Sequence, residues 1–433
     1  MSMPGTAERE RAAPAPRRAL VILAATLWVA CPPAGARADI ATQFGLSPRG
    51  IGMGNAVSAL IHDYAAVYYN PAGLALSPSS SFTLGYFYST PKVRARGPGG
   101  NEQVIFDTHM NVPVLGYRQN LKRVFPQRWG KNIVVALAVG SSDNLKTGTL
   151  VETYLYEDRQ IPVFGRVQDM LVMSGGVGVE LHRWVLLGAG MRFASTYDAA
   201  NITATMDLAT GETVVQKLEV NADTEAQPIA GFLLRPHPGL HLAGVWRRGG
   251  APINLVGQGG GTAVIGPLAL PMSLSLAFRD FYTPDEFAGS VAWWTTARLL
   301  LALEVTFARW SRYDVPYGDR PPGEPFRDVW VPRVGAEYAF LENLKVQAGY
   351  YWQPSPVSRR QPYTCYLDTD QHVFSGAVAY GLRLKGVFKY PLGLSAYVQV
   401  QHLPRRTLDT VAGPTDVWGT ITNVGGTVEL RFR

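Results

Sequence analysis

The chain has 433 residues, with Lys+Arg 40 against Asp+Glu 33 for a formal charge of +7, only 17% charged residues, and Gly 45, Tyr 20 and Trp 10. That composition suits one large β architecture better than a string of soluble domains, and its modest charge gives no basis for a nucleic-acid partner. A mean hydropathy of +0.01 does not exclude a membrane protein, because a membrane barrel alternates lipid-facing apolar with lumen-facing polar side chains and its average cancels.

The chain opens with Arg17 and Arg18, an apolar run over 19–30 and then Ala36-Arg37-Ala38, which together form a secretory signal with an A-x-A cleavage site after Ala38. Its removal takes five arginines and two glutamates, so the charge of +7 becomes +4. The apolar run is far below the roughly 20 residues a transmembrane helix needs, and no later run reaches that length. Any membrane crossing is therefore by β-strands closed into a barrel. Trp28 stands where a lipoprotein signal carries Leu or Val, which argues against lipidation of Cys31. Cys365 is then the single cysteine left, so no intramolecular disulfide forms.

Residues 44–78, FGLSPRGIGMGNAVSALIHDYAAVYYNPAGLALSP, read as a compact, turn-rich plug ahead of the strands. Gly50, Gly52 and Gly54 permit close turns, and the Asn70-Pro71 step stops the preceding apolar run from continuing as a helix. The glycine run, Asp63, and the Tyr-Tyr-Asn-Pro-Ala-Gly stretch that contains Tyr69, Asn70, Pro71, Ala72 and Gly73 resemble the N-terminal hatch of the outer-membrane long-chain fatty-acid and toluene transporters, the FadL-type family. Three later segments resemble the same family: LEVTFARWSRYD from Leu303, FRDVWVPRVGAEYAFLENLKVQAGYYWQPSPV from Phe326, and LDTDQHVFSGAVAYGL from Leu367. Taken together they span nearly the whole mature chain.

From Ser81 onward, apolar residues recur at every second position over segments of about ten residues separated by Gly, Pro, Asn and Asp clusters. Strands are expected near 81–90, 110–119, 132–141, 168–181, 185–198, 225–235, 240–256, 284–294, 299–309, 329–340, 344–352, 372–384, 393–402 and 422–433, about fourteen in all. On the ninth, Leu301, Leu303 and Val305 take one face and Ala302, Glu304 and Thr306 the other. Short turns at 182–184, 235–239 and 341–343 alternate with long connections near 91–109, 142–167, 199–224, 310–328, 353–371 and 403–421, as periplasmic turns and external loops do. The alternating run in 257–283 is assigned to an elaborate external loop, since counting it in the wall makes the strand number odd. The last strand alternates Val428, Leu430 and Phe432 with Glu429 and Arg431, and resembles the signal read by barrel-assembly machinery.

The expected fold is all-β: a transmembrane antiparallel barrel of about 14 strands, with a removable signal over 1–38, a hatch over 39–80 in the lumen, and the barrel over 81–433. The resemblance implies an outer-membrane transporter in a Gram-negative cell envelope that takes up long-chain fatty acids or similar hydrophobic molecules passively. Outer-membrane lipid and lipopolysaccharide would surround it. A hydrocarbon porter, or a related barrel that scaffolds or shuttles secreted proteins, are the alternatives. Phe44, Leu46, Ile51 and Met53 either line a ligand pocket or anchor the hatch. Strand 132–141 is apolar on both faces, so Val134, Ala136 and Ala138 form either a greasy lumen wall or simple packing against the hatch. Arg320 and Arg327 are the cations nearest the place where the family carries a basic residue, and a carboxylate head group would pair with such a cation. No nucleophile elbow, phosphate loop or paired-histidine spacing stands out, so neither enzyme activity nor a metal or other cofactor is expected.

Overall fold

The computed structural model describes residues 43–107, 109–122, 132–141, 171–207, 213–250, 253–265, 268–280, 283–312, 326–362, 365–384 and 390–432. The expected signal, residues 39–42 and Arg320 lie outside them.

Seventeen strands form one sheet. They are β1 (Ser80–Arg96), β2 (Glu102–Phe106), β3 (Met110–Asn120), β4 (Ile133–Ser141), β5 (Leu171–His182), β6 (Val185–Asp207), β7 (Thr213–His237), β8 (Leu240–Arg247), β9 (Ile253–Ile265), β10 (Leu268–Asp280), β11 (Asp285–Trp294), β12 (Leu299–Arg309), β13 (Val329–Leu341), β14 (Leu344–Gln353), β15 (Gln371–Leu382), β16 (Leu392–Thr410) and β17 (Gly413–Phe432). Three of them stand outside the ring. β2 pairs with the outer end of β1, and β9 and β10 form a hairpin joined to β6 by a parallel ladder. β8 pairs directly with β11, and β1 pairs with both β3 and β17, so the other fourteen strands close an antiparallel barrel. Closure leaves the wall no open edge, which is the condition for strands to cross a bilayer.

Three expectations are corrected in detail. The strand expected over 240–256 ends at Arg247, because Gly249 and Gly250 turn the chain out of the wall, tied by the Gly249 N–H to Asp285 Oδ1 at 2.8 Å and by a bridge between Gly250 and Thr283. Region 257–283 does lie outside the ring, but as the β9–β10 hairpin. The connections expected over 199–224 and 403–421 are largely the outer arms of long hairpins, β6–β7 and β16–β17. Runs rich in β-branched residues, such as Ile202, Thr203, Thr205, Val214 and Val215, extend the ladder past the point where the lipid-facing alternation ends.

The alternation expected of a lipid-spanning wall is present. On β12, Leu303 is 60% exposed and Glu304 2%. Leu84, Val334, Phe374, Val378, Val398, Val424 and Val428 are exposed on the same outer surface. Aromatic side chains mark both ends of it, with Trp330 and Tyr338 at opposite ends of β13 and Phe287 and Trp293 at opposite ends of β11. Aromatic rows at both ends of an apolar outer band are the interfacial girdles expected of a transmembrane barrel. No described helix is long and apolar enough to cross a membrane, and the strands do the crossing.

At the end bearing the long connections, Trp310, Phe326, Val357, Tyr366, Leu367, Leu403 and Leu408 bury one another in an external core. Asp368 is buried in the loop between β14 and β15, where the Ser355 hydroxyl donates to its Oδ2 at 2.6 Å. Burial pushes this carboxyl up to about 7 from an ordinary 3.8. The folded loop therefore keeps a proton that the unfolded chain has released, and its stability falls as pH rises through that interval. Hydrogen exchange of residues 354–370 should be slower at pH 5 than at pH 8 after correction for intrinsic rates, and Asp368→Asn should abolish the difference.

Candidate functional site

Residues 43–77 lie inside the ring as an irregular chain: a short helix α1 (Pro48–Gly52), a turn of helix α2 (Ala66–Tyr69) and a 3-10 turn (Pro71–Leu76), nearly all buried. The Ser47 hydroxyl caps α1 by accepting from Gly50 N–H at 3.2 Å, and Pro48 sits at its first turn, where a missing N–H costs nothing. Asp63 Oδ1 accepts from Ala65 N–H at 2.8 Å and so opens the α2 turn. Gly54 at φ +61 and Asn55 at φ 59 reverse the chain in the left-handed region, which these residue types tolerate.

A chain without a regular ladder needs other partners for its backbone polar groups, and the inward side chains of the wall supply them. Gln399 Nε2 donates to Phe44 O and Gln401 Nε2 to Gln43 O, each at 3.2 Å. Arg247 donates to the carbonyls of Tyr68 and Tyr69, both at 3.0 Å, and Arg118 to those of His62 and Ser79. Glu304 Oε2 accepts from Ser58 N–H at 2.9 Å. In the reverse sense, Arg49 reaches from the hatch to Glu337 at 2.8 Å, and Lys345 and Gln347 complete the shell of that carboxylate. One ion pair, Arg49–Glu337, thus joins hatch to wall, while Arg247–Glu286 lies within the wall.

The tetrapeptide Asn70–Gly73 has a structural seat. Asn70 Nδ2 donates to Ser58 O at 2.8 Å and to Phe232 O of β7 at 3.2 Å, while its Oδ1 accepts from Ala72 N–H at 3.1 Å. Pro71 and Ala72 press on the bare backbone of Gly188, where a Cβ would overlap them, and Gly349 meets Met53 and Gly54 in the same way across the barrel. Gly52 packs on Ala377 with no room for a side chain. The Tyr69 hydroxyl donates to Asn55 Oδ1 at 2.6 Å and accepts from Leu46 N–H at 3.2 Å.

Between hatch and wall is a cavity of about 30 Å³ whose lining includes Leu46, Ile51, Tyr64, Phe87, Val112 and Tyr397, together with Ala138, Ser174 and Thr427. Among the described residues no charged side chain lines it. The Tyr64 hydroxyl is engaged, donating to Leu46 O at 2.8 Å. Gly85 also borders the cavity and bares the wall from inside, and Gly426 bares it from outside. These two, with Tyr86 and Thr427, line both the cavity and a groove on the lipid-facing surface.

Of the residues singled out from sequence, the cavity collects Leu46, Ile51 and Ala138. Phe44 lies beside it, its ring 5.1 Å from that of Phe87. Met53, Val134 and Ala136 pack instead with Val57, Leu60 and Val67 in the apolar core of the hatch. Arg327 stands at the external rim, in a depression that shares no lining residue with the cavity. Tyr64, Phe87, Val112 and Tyr397 were not singled out. The one signal for Phe87, Val112 and Tyr397 is inward parity on their strands, which fits half of every strand, and Tyr64 stands in the hatch with no signal of its own.

No family model matches the sequence. The alkane uptake protein A of Marinobacter nauticus is 24% identical over 95% of this chain and 96% of its own length. Among solved structures, the toluene transporter TodX of P. putida covers 90% of this chain and 99% of its own at a TM-score of 0.58 and 15% identity. A FadL homologue of Pseudomonas aeruginosa covers 92% and 99% at 0.55 and 14%, and the toluene transporter TbuX of Ralstonia pickettii 91% and 100% at 0.55 and 15%.

Two substitutions test the seat. Asn70→Ala strands Ser58 O, Phe232 O and Ala72 N–H, a cost of about 2–4 kcal/mol. Glu337→Ala leaves Arg49 without its carboxylate, a cost of about 3 kcal/mol. Either should raise hydrogen exchange in residues 43–77 while the strands stay protected, whereas unchanged exchange in both variants would contradict the assigned contacts.

Proposed function

We propose, for a chain whose fold is that of the FadL-type outer-membrane barrels of Gram-negative cells, passive inward transport of hydrophobic molecules, with residues 39–80 as the gate and 81–433 as the conduit. Residues 1–38 direct export, the C-terminal strand is read by the assembly machinery, and lipid with lipopolysaccharide surrounds the outer wall. The observation that carries the reading is the apolar cavity held between a docked hatch and the barrel wall.

The lining favours uncharged cargo. A buried carboxylate is held best by a cation, and the described lining offers none, only the hydroxyls of Ser174, Tyr397 and Thr427 beside the engaged Tyr64. A hydrocarbon needs only apolar surface, at about 0.8 kcal/mol for each methylene taken from water. The curated relative named for alkane uptake points the same way. Long-chain fatty acids remain the second cargo class, with the head group held outside the cavity toward Arg327.

The size of the cavity bears on mechanism. About 30 Å³ holds little more than a water molecule, so cargo enters only as the hatch shifts, and binding selects the shifted state. Release is inward past the hatch, or sideways where Gly85 and Gly426 leave the wall one backbone thick.

The proposal is tested at Val112, which is fully buried on the inner wall and lines the cavity. Val112→Asp should lower hexadecane uptake by roughly tenfold or more, since a desolvated carboxylate opposes apolar cargo. Val112→Leu should leave uptake near wild type, with heat-modifiable gel mobility confirming that both barrels fold. Equal uptake by all three proteins would remove the cavity from the path.

A further inference from the structure

At the external rim, Arg327, Arg359, Arg405 and Arg406 converge on a concavity of about 490 Å³, with Asp370 the one acid in its lining. Among the described residues none of the four is ion-paired. The acids nearby are otherwise engaged. Asp370 Oδ1 accepts from Ser355 N–H at 2.9 Å, and Asp368 lies buried below with the Ser355 hydroxyl on its Oδ2.

The depression is built by contacts from three separate stretches of chain. Arg406 donates to Val357 O at 2.7 Å and to Asp368 O at 3.3 Å, Arg327 Nε to Ser355 O at 3.3 Å, and the Thr369 hydroxyl to Pro404 O at 2.7 Å. A bulge in β16 between Leu403 and Arg406 throws Arg405 outward, where its guanidinium stacks 4.2 Å above the Trp418 ring. Arg96 of β1 approaches the same ring at 5.8 Å. The basic surface thus runs from the rim onto the flank of the barrel, at an aromatic residue of the kind that marks the membrane interface.

We propose that this depression binds the phosphate groups of lipopolysaccharide in the outer leaflet. Four like charges in one hollow repel one another, and an anion that enters relieves the repulsion. A carboxylate brings one charge and two oxygens, whereas a phosphate monoester brings nearly two charges and three acceptor oxygens. Guanidinium forks match those oxygens bidentately. Continuity with the lipid-facing flank selects a lipid-borne phosphate over a soluble one. The inference rests on the outer-membrane placement and stands apart from the hydrocarbon reading of the cavity, since the two share no lining residue.

The test uses full-length mature protein in detergent, with bisphosphorylated lipid A and its enzymatically dephosphorylated form as probes, and bound lipid read by native mass spectrometry. Wild type should retain the phosphorylated form and Arg359→Ala/Arg405→Ala should bind it at least roughly tenfold more weakly, as expected for losing two charge-assisted contacts. Wild type should bind the dephosphorylated form at least roughly tenfold more weakly than the phosphorylated one, a comparison within one protein that holds even if the variant folds poorly. Equal retention of both lipids by wild type, equal affinity of wild type and variant, or displacement of lipid A by equimolar inorganic phosphate or palmitate would overturn the assignment. Hexadecane uptake by the double variant should match wild type, so a failure of lipid binding is read separately from a failure of transport.

Discussion

An irregular stretch of backbone at membrane depth is tolerated only where protein buries it or water reaches it, and where protein buries it each N–H and C=O needs a partner. That requirement organises this molecule. The hatch is not a ladder, so the wall must answer it with side chains: glutamines and arginines toward its carbonyls, Glu304 toward an N–H, Glu337 toward its one reaching arginine. The apolar clusters of the hatch supply the burial, and these polar links fix where it sits.

The same requirement separates two chemistries in space. Arg118, Arg247, Glu304 and Glu337 reach the hatch from the wall, and no charged side chain among the described residues lines the cavity between them. A cluster of arginines without ion pairs among the described residues, Arg327, Arg359, Arg405 and Arg406, stands at the external rim and reaches the flank around Trp418. A neutral hydrocarbon and an anionic lipid would thus meet different parts of one barrel and would not compete.

Much of the wall was legible in the sequence. Period-two alternation fixes both the strand and its lipid face, as at Leu303 and Glu304, and the even strand count held because the extra alternating run around Met272 and Phe278 folds back as a hairpin outside the ring. Strand ends were less legible. The outer arms of β6, β7, β16 and β17 carry β-branched and polar residues that suit a ladder in water as well as a loop. The seat of the hatch was illegible for a different reason. Arg49 and Glu337 are 288 positions apart, and the inward glycines Gly188 and Gly349 acquire meaning only from the chain pressed against them. Met53 and Val134 have the right character for a ligand wall, yet they face the interior of the hatch, a distinction that depends on how the chain turns at Gly54 and Asn55.

The central claim is that a docked hatch stoppers the barrel and leaves only a small greasy space beside it. Single-channel recording of the mature protein in a planar lipid bilayer tests this most directly. A stoppered barrel gives a quiet baseline with rare, brief openings, and deletion of residues 43–77 converts it to steady ohmic conductance. A large, steady, ion-carrying conductance in the intact protein would contradict the claim.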